Sequence, residues 1–563
     1  MSYDDTRDAL AAWKAAFPAN PYESDLHLRS ILVRSLDPER LEALDARARA
    51  FAHDLVTVVG PAARRYEQRL HLPELTRYDA LGERIEQVDF DPSYHAAGAA
   101  VWSSGVVALS ARPGAAYEQA VLLYLLSLEG EAGHACPATC TIGLVRALRR
   151  RGDEEVTTRF LPPLVDLHYE SAQRGAQFLT EVQGGSDVGA NLCVAAPEGD
   201  GRYRITGEKW FCSVADADQF FVTARVPGAA AGTRGLGSFV VPRTVDGRPN
   251  GFALRRLKDK LGTRGLASGE IDFDGALAWP VGPLEEGFRT AVSVVLNTSR
   301  WMTAVGSAGI MRRALIEARN FARHREAFGV SIDHFAPLKR TLCDMTALSL
   351  GALHLVMALT ELEDRIDAGS ANEQDVAYHR FLVNAAKYLV SRQATSVVRS
   401  GIEVLGGNGT IEEFSVLPRL YRDAIVYESW EGTHNVLAAQ VLNDLRRLDL
   451  LAAVEARFVA VLAGLTGDEV AVVRRRVHEV LASAHLCVND DEFAAWHFRD
   501  VLDQIAVLGE VVYLLEGGHR ASATHLLLTY ATPGYDPQDD DALAGRVAAV
   551  LATDEADLAP SVG

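Results

Sequence analysis

Apolar positions along the chain change their spacing twice, which predicts a helical region, then a β region, then a second helical region. From about 90 to 175 they recur with the helical period, and this part includes the Leu-rich stretch AVLLYLLSLEG at 120–130. Residues 1 to about 85 carry mixed helical signals that Pro18, Pro21 and Pro73 interrupt. Residues 1–175 are therefore predicted to form an N-terminal extension and a helical domain.

Turn signals become frequent near residue 176. Turns that contain glycine, at 184–185, 199–201, 246–247 and 274–275, separate short alternating runs that are rich in Thr, Val and Phe. These runs are YRIT, FFVTARV, SFVV and GEIDFDG. They predict the strands of a compact β domain over residues 176–287.

Helical spacing returns after about residue 288. Two apolar stripes with spacings of three and four residues each predict one face of a long helix, and a third long helix is predicted over about 375–405. The stripes consist of Met311, Leu315, Ala318 and Ala322 in the first and Leu348, Ala352, Leu355, Leu359 and Leu362 in the second. We interpret them as core packing. They predict a helical bundle domain over 288–445, followed by an extra helical domain over 446–563.

The composition indicates a globular protein that works in a reducing compartment. Hydrophobic residues make up 48% and charged residues 23% of the 563 residues. No apolar run approaches the roughly 20 residues of a membrane helix, and the first residues lack the pattern of a secretory signal. Six cysteines are a low density. These features predict a cytoplasmic protein without a membrane anchor.

One cysteine pair raises the question of a metal. His134, Cys136 and Cys140 could in principle act as ligands, but a zinc site usually has a second ligand pair at recognisable spacing. Small buried side chains on a helix are the simpler interpretation, so we predict no metal.

The formal net charge of −19 disfavours partners that are polyanions. Basic residues cluster only in three short runs, at 149–151, 255–260 and 474–476. Residues 446–563 contain nine Arg, no Lys and nineteen acidic residues, a net charge of −10. Because DNA affinity depends on clustered positive charge, the acidic C-terminal domain makes DNA binding possible but disfavoured.

Four segments contain the candidate chemistry. FLTEVQGGSD at 178–187 ends in a turn whose backbone N–H groups could bind a diphosphate, although such turns are usually structural. GEKWFCS at 207–213 could provide a wall for a planar ring, or an ordinary pair of aromatic core residues. RHREAFG at 323–329 ends a predicted helix, with Gly329 as its C′ residue. The fourth is EVLGGNG at 403–409, followed by PRLYRDA and then WEGTHN at 430–435.

Together, in this order and spacing, the four segments resemble the acyl-CoA dehydrogenase family over roughly residues 90–445. RYDALGERIEQVDFDP at 77–92 and RLKDKLGTRGLASGEIDF at 256–273 make the resemblance closest to the AidB-like branch, which has an extra helical C-terminal domain. The resemblance implies an α+β, acyl-CoA dehydrogenase-like fold: an N-terminal helical domain, a central β domain, a C-terminal helical bundle and that extra domain. It also implies FAD as the cofactor.

The resemblance also assigns roles to residues that match the family motifs. Thr180 and Ser186 would hydrogen-bond the flavin and its diphosphate, with Leu179 and Gly185 beside them. Phe211 takes the place of a Trp over the isoalloxazine ring, and Ser213 that of a Thr near flavin N5. Four groups would reach the FAD of a neighbouring subunit: Arg325, Phe328, Gly406 and Gly407. They therefore imply a homo-oligomer, either a dimer or a homotetramer. Thr433 and Asn435 align with further FAD contacts.

Glu431 matches the family's Glu-Gly-Thr catalytic base. From the residues alone it could equally be a first-turn carboxylate that a helix dipole favours. Some members of the family place the base directly before an Arg, but here Ser299 precedes Arg300 and has no carboxylate. Glu431 is then the aligned base, and Arg300 is assigned to substrate binding.

Two positions depart from the family pattern. Ala336 and Glu403 stand where glutamines are expected, which puts the contact with the neighbouring subunit's FAD in doubt. The predicted activity is α,β-dehydrogenation of an acyl thioester, carried by CoA or a carrier protein. The alternatives are a flavoprotein with diverged chemistry on an unusual metabolite, or an AidB-type protein that binds DNA and protects it from alkylation. The extra C-terminal domain is preferred as an element for subunit contact or substrate shielding.

Overall fold

The computed structural model describes residues 3–558, and by its internal contacts the chain divides into two compact units. Within the described residues, one unit contains 3–53, 127–130 and 303–558, and the other contains 54–126 and 131–302. The four domains proposed from the sequence stay a prediction.

Helices make up most of the first unit and the N-terminal part of the second. In chain order they are α1 (Tyr3–Ala15), α2 (Pro21–Ser24), α3 (Leu26–Ser35), α4 (Pro38–Asp54), α5 (Gly60–Tyr66), α6 (Pro92–Ser103), α7 (Ala116–Leu128), α8 (Ala135–Arg151), α9 (Glu154–Leu164), α10 (Gly287–Thr290), α11 (Asn297–His324), α12 (Ala336–Asp367), α13 (Glu373–Leu405), α14 (Leu417–Ser429), α15 (His434–Leu448), α16 (Leu450–Ala463), α17 (Asp468–Asn489), α18 (Asp491–Glu516), α19 (Arg520–Ala531) and α20 (Leu543–Leu558).

The strands lie mainly between α9 and α10. In chain order they are β1 (Glu74–Tyr78), β2 (Arg84–Asp89), β3 (Gly175–Phe178), β4 (Val194–Gly199), β5 (Arg202–Ser213), β6 (Gln219–Arg225), β7 (Leu236–Pro242), β8 (Thr244–Val245), β9 (Arg248–Pro249), β10 (Phe252–Leu257), β11 (Ser268–Pro280), β12 (Glu326–Ala327) and β13 (Val330–Ser331).

The main sheet of the second unit closes on itself. Its hydrogen-bonded order is β10-β11-β5-β4-β6-β3, and β7 pairs with both β11 and β6. β5 and β11 are antiparallel, with Ser213 opposite Ser268, whereas β3 runs parallel to β6. The strands predicted from the runs YRIT, FFVTARV, SFVV and GEIDFDG are confirmed as parts of β5, β6, β7 and β11.

A hairpin near residue 80 differs from the helical signals predicted for the first 85 residues. β1 and β2 pair across a turn in which the Asp79 carboxylate accepts hydrogen bonds from the amides of Leu81 and Glu83. Gly82 adopts a φ of 81°, which costs glycine little. The Asp and Gly of this turn were the signal for a hairpin.

Long helices form the core of the first unit. α12 and α13 pack against each other, and α18 packs on both of them. The two predicted stripes are confirmed as core, because all nine side chains are buried. The third predicted helix is confirmed as α13, which begins in a capping box formed by Asn372 and Asp375.

One helix corrects the sequence-based statement that no run approaches membrane-spanning length. α12 is long and apolar enough to cross a bilayer by length and composition, but 94% of its most apolar window is buried inside the protein. The core helix of a globular protein passes the same test, so α12 is explained by its packing.

Glu510 is a buried acid on α18 whose protonation should make stability depend on pH. Its Oε2 accepts a hydrogen bond from Gln393 Nε2 at 3.0 Å, and its Oε1 has no hydrogen-bond partner among the described residues. Burial raises the pKa of Glu510 from 4.5 to about 8. The stabilisation that comes from protonating Glu510 is therefore fully present below the pKa of this carboxyl in the unfolded chain. It is lost as the pH rises through about 8.

We expect Glu510→Gln to flatten the fall of the thermal midpoint between pH 5 and pH 9. Thermal melts of wild type and variant across this range test it. Part of the slope should persist, because burial also raises the pKa of Glu131 to about 7. Parallel curves for the two proteins would show that Glu510 is not protonated in the folded state.

Candidate active site

The segment that follows β3 lies directly beside β5. The Trp210 amide donates to the Thr180 carbonyl at 2.9 Å, and Asn191 Nδ2 donates to the Leu179 carbonyl at 2.7 Å. Leu179 is buried and Thr180 is half-buried. These contacts fix the backbone of both residues against the strand that contains Phe211 and Ser213.

A buried ion pair between Lys209 and Glu181 also holds the segment that follows β3. Lys209 Nζ lies 2.9 Å from Glu181 Oε1, and their side chains are 0% and 3% exposed. The Glu181 carboxylate also accepts the amides of Leu192 and Cys193 at 2.6 and 3.1 Å. Lys209 Nζ donates to the Leu179 carbonyl at 3.3 Å. A buried pair tolerates its desolvation only with such additional hydrogen bonds, so Glu181 and Lys209 set the position of this loop.

The turn after Glu181 brings Gly185 against Thr180. The Gly184 amide donates to the Glu181 carbonyl at 2.9 Å. A methyl group in place of the Gly185 hydrogen would lie 2.6 Å from Thr180 Oγ1, so this approach requires glycine. Gly185 and Ser186 are exposed. The turn therefore presents backbone N–H groups and a hydroxyl at the surface of the second unit, as an anion site requires.

Phe211 and Ser213 share one face of β5, because side chains alternate along a strand. Phe211 is 58% exposed, which is high for an aromatic residue inside a strand. Trp210 lies beside an irregularity in the β5–β11 register, and Lys258 Nζ lies 3.7 Å from its ring centroid and 5.0 Å from that of Phe211. The predicted ring-facing residues thus lie on the strand that contacts Thr180, and the Lys258 ammonium lies against the Trp210 ring.

Ser299 and Arg300 lie on the part of α11 that belongs to the second unit. Gln177 Nε2, on β3, donates to Ser299 Oγ at 3.0 Å. Arg300 is 3% exposed, and its Nη1 lies 3.4 Å from Asn297 Oδ1. The Ser299 position holds a buried, hydrogen-bonded hydroxyl, and the substrate role of Arg300 stays a prediction.

Glu431 lies in the loop between α14 and α15, in the first unit. Its φ of 57° is in the left-handed region, which is rare for residues other than glycine. Its side chain is half-buried. α15 begins at His434, so Glu431 precedes the helix and is not a first-turn carboxylate. Backbone strain of this kind costs about 1–3 kcal/mol and is typical of functional sites.

Lys387, in the middle of α13, fixes this loop. It is 0% exposed, and its Nζ donates to the carbonyls of Glu428 and Gly432 at 2.8 and 2.9 Å. Two carbonyls on either side of Glu431 are therefore tied to a single buried ammonium group. The strained backbone of Glu431 persists because its two flanks are held.

The last turn of α14 adds a second anchor through Glu428. His434 Nε2 lies 2.8 Å from its Oε2, and Thr395 donates to its Oε1. Burial alone would raise the pKa of Glu428, but the hydrogen bonds from His434 and Thr395 lower it. The ionised carboxylate thus links the start of α15 to α13.

The helical C-terminal extension after residue 445 reaches the same region through α18. Arg499 Nη1 donates to Asn435 Oδ1 at 2.9 Å. Asp503 accepts hydrogen bonds from the Tyr388 hydroxyl at 2.6 Å and from Arg392 at 2.5 Å. The extension therefore supports α13 and the start of α15. Thr433 is the N-cap residue of α15, yet its side chain makes no capping hydrogen bond.

Arg325 and Phe328 lie in a hairpin after α11. Because α11 ends at His324, Gly329 is not its C′ residue, as the sequence had suggested. Phe328 and Gly329 instead form the two-residue turn of β12–β13, with φ values of 55° and 86°, as in type I′ turns. Phe328 is 97% exposed and Arg325 is exposed. The one ring contact of Phe328 within the described residues is an edge-on contact with Phe335, with ring centroids 6.2 Å apart, so packing within the chain covers little of it.

The glycines at the end of α13 differ in whether their backbone conformation or their surroundings require glycine. Gly406 has φ 63° and ψ −142°, which favours glycine. A Cβ at Gly409 would meet the Ile402 carbonyl at 2.5 Å, whereas one at Gly407 would meet no atom within 4 Å among the described residues. Gly406 and Gly407 are exposed. Glycine at 407 is therefore not explained by contacts of the described chain.

The predicted residues form separate groups. The second unit brings together Leu179, Thr180, Gly185, Ser186, Phe211 and Ser213, and it also contains Arg300. The first unit brings together Glu431, Thr433 and Asn435 at the start of α15, and it holds Arg325 with Phe328 and Gly406 with Gly407 elsewhere. Sequence reasoning missed Lys209 and Lys387. Each is a lysine at a core position of its element, and that pattern is the signal for a buried partner.

Three family models match consecutive parts of this chain. They are the "Adaptive response protein AidB N-terminal domain" over residues 14–171, the "Acyl-CoA dehydrogenase, middle domain" over 176–276, and the "Acyl-CoA dehydrogenase, C-terminal domain" over 285–445. The matched order is that of the helical, β and helical regions described above.

Individual proteins of known sequence or structure show the same family similarity. "Putative acyl-CoA dehydrogenase AidB" of Escherichia coli (strain K12) is 36% identical over 67% of this chain and 69% of its own. "Acyl-CoA dehydrogenase family member 11" of Caenorhabditis elegans is 32% identical over 75% and 70%. The crystal structure of C. elegans ACDH-11 in complex with C11-CoA matches with a TM-score of 0.84 at 27% identity, covering 92% of this chain and 91% of that one.

The chain belongs to the acyl-CoA dehydrogenase family, whose members are oxidoreductases and flavoproteins. Its N-terminal domain and its similarity to AidB place it with the AidB-like members. The predicted fold and family are confirmed. The chain is an acyl-CoA dehydrogenase-like oxidoreductase.

Proposed function

We propose that the chain binds FAD and catalyses α,β-dehydrogenation of an acyl thioester, an EC 1.3 reaction, with Glu431 as the base. The observation that supports this most is the loop of Glu431. Its backbone is left-handed, and Lys387 holds it on both sides. A strained backbone that is maintained at the position of the family's base supports a functional role for this residue.

The residues of the second unit fit a flavin. Phe211 and Ser213 provide an apolar surface and a hydroxyl on one face of β5, beside the half-buried Thr180. In the turn after Glu181, the exposed Gly185 and Ser186 offer donors suited to a diphosphate. When bound, FAD would supply the two-electron acceptor that amino-acid side chains lack.

Residues of the chain would supply the base, the hydrogen bond to the thioester and the positioning of both. Glu431 would take the α proton of the thioester as general base. Its backbone N–H would donate to the thioester oxygen and so stabilise the negative charge that develops there. Lys387 and Glu428 would keep the carboxylate and this N–H in place. The substrate would be an acyl group on CoA or a carrier protein, as the complex of ACDH-11 with C11-CoA illustrates for that protein.

We also propose a homo-oligomer, a dimer or a tetramer, in which Arg325, Phe328, Gly406 and Gly407 contact a neighbour's cofactor. Their exposure supports this, together with the left-handed Phe328 and the open space at Gly407. Exposed apolar side chains and left-handed backbone cost stability in one chain and are typical of surfaces that contact another molecule.

DNA as a partner is not supported by the basic run in the C-terminal region, at 474–476. Arg474 donates to the carbonyl of Leu462, and Arg476 donates to that of Ala531 at 2.6 Å. Arg475 lies 3.8 Å from Glu479. The run at 474–476 thus joins helices of the C-terminal domain or faces a carboxylate. Phosphate contacts would have to replace these interactions in a domain of net charge −10.

We propose the cytoplasm as the site of action. All six cysteines are buried and none forms a disulfide bond, including Cys136 and Cys140, whose sulfur atoms are 3.9 Å apart. Thiols kept reduced are typical of that compartment.

The visible spectrum of the purified protein tests the proposed function. We expect flavin bands that are bleached anaerobically by at least one member of a panel of acyl-CoA thioesters. Flavin bands that no thioester bleaches would favour diverged chemistry. Absence of flavin, also after incubation with FAD, would contradict the cofactor itself.

A further inference from the structure

A hydrogen-bonded chain connects a lysine to the hydroxyl that faces the proposed flavin. Lys260 Nζ donates to Ser268 Oγ at 2.9 Å and to the Leu266 carbonyl at 2.8 Å. Ser268 Oγ lies 3.4 Å from Ser213 Oγ. Ser268 is 4% exposed, and the two serines are direct partners in the β5–β11 register. Side chains of such a pair stand side by side on the same face of the sheet.

The chemistry of lysine gives this chain a direction. An ammonium group has three donors and no acceptor, so Ser268 Oγ must accept from Lys260. The Ser268 hydrogen is then available to Ser213 Oγ, the hydroxyl oxygen 3.4 Å away. If Ser213 accepts from Ser268, its own hydrogen points away from Ser268. Ser213 then offers a donor, not a lone pair, to a ligand on its face of β5.

We propose that Lys260 is a positioning residue that fixes Ser213 as a hydrogen-bond donor and polarises it toward bound FAD. This inference rests on the proposed function, because it needs a flavin on the face shared by Phe211 and Ser213. A polarised donor withdraws electron density from the ring system that it contacts. It should therefore raise the reduction potential of the flavin and make the oxidised ring a better target for nucleophiles.

A second lysine on the same segment provides the comparison. Lys258 Nζ lies 2.7 Å from Glu270 Oε1 and 5.0 Å from the ring centroid of Phe211. The Ser268 carbonyl accepts the backbone amide of Lys258, but the Lys258 ammonium is directed to Glu270 and to the Trp210 ring. A general effect of positive charge would involve both lysines, whereas the hydrogen-bonded chain involves only Lys260.

The contact between the two hydroxyls sets the size of the effect. At 3.4 Å it is longer than the usual 2.7–2.8 Å of a hydroxyl pair, so the influence of the ammonium is attenuated. We expect about a tenfold change in equilibria of the flavin that depend on its electron affinity. For a two-electron couple, tenfold corresponds to about 30 mV.

The experiment compares FAD-loaded wild type with Lys260→Met, Ser268→Ala and the control Lys258→Met. Each is titrated with sulfite, which adds reversibly to oxidised flavins, and its midpoint potential is measured with a reference dye. Lys260→Met and Ser268→Ala should each bind sulfite about tenfold more weakly and have a midpoint lower by about 30 mV. Lys258→Met should change sulfite affinity by less than about twofold, since its ammonium is directed to Glu270 and the Trp210 ring and takes no part in the hydrogen-bonded chain.

The outcomes separate this inference from the proposed function. A wild-type protein that takes up no flavin overturns both. Flavin binding with unchanged sulfite affinity in Lys260→Met and Ser268→Ala overturns only the role of Lys260. Equal shifts in Lys258→Met and Lys260→Met would show a through-space charge effect and also overturn it. Should Lys260→Met fail to hold flavin, Ser268→Ala, which removes one buried hydroxyl, decides the question alone.

Discussion

Replacing Glu431 with glutamine is expected to lower turnover about 10³-fold while FAD stays bound. A positioned general base contributes about 10²–10⁴-fold, and glutamine keeps the size of the side chain without accepting a proton. The backbone of the loop is held by Lys387 through carbonyl groups, which the substitution leaves in place. The visible spectrum should therefore be unchanged, and only the bleaching of the flavin by thioester should slow.

Stopped-flow reduction with an accepted acyl-CoA measures this effect directly. Glu413→Gln is the matched control, since Glu413 is an exposed carboxylate outside the loop. It should reduce at the wild-type rate. If Glu431→Gln keeps more than about a tenth of that rate, Glu431 is not the base and another proton acceptor must be sought.

The second large effect is expected from Lys209→Met. The substitution leaves the Glu181 carboxylate buried without its cation, and breaking a buried ion pair by removing one partner costs about 3–5 kcal/mol. The Leu179–Gly185 segment loses an anchor at the same time, so FAD affinity should fall together with stability. Chemical unfolding of the flavin-free protein and FAD titration by fluorescence measure the two effects separately.

Arg204→Met is the control on the same strand. Arg204 and its partner Glu198 are 43% and 37% exposed, so this ion pair should contribute little to stability. The double variant Lys209→Met/Glu181→Gln should recover part of the loss, because no unpaired charge is left buried. Equal losses from Lys209→Met and Arg204→Met would mean that the buried pair has no special role.

Periodicity predicted the helices and strands that form the two cores. α11, α12 and α13 follow apolar stripes because a helix must bury one face, and that requirement is visible in spacing alone. The hairpin β1–β2 was missed because its strands are largely exposed and therefore lack a clear alternation. Gly329 was placed at a helix end because a C′ glycine and a type I′ turn glycine look alike in a sequence.

The candidate site was predictable only where a motif is continuous in sequence. Glu431 and the Thr180–Ser186 segment came from such motifs. Lys209 and Lys387 did not, because their roles depend on partners that are 28 and 41 or more residues away along the chain. Distance across the fold, not residue type, determines such pairings. The Lys260 chain likewise depends on the register of β5 and β11, which no local pattern specifies.

The length of α13 has a consequence for assembly. Lys387, which holds the loop of Glu431, is separated from the helix end at Leu405 by 18 residues, or about 27 Å at 1.5 Å per residue. Under the proposed function, we expect the cofactor beside Glu431 and the cofactor that contacts Gly406 and Gly407 to be two different molecules. Each protomer would then contribute residues to two cofactor pockets, so dilution to monomers should release the cofactor.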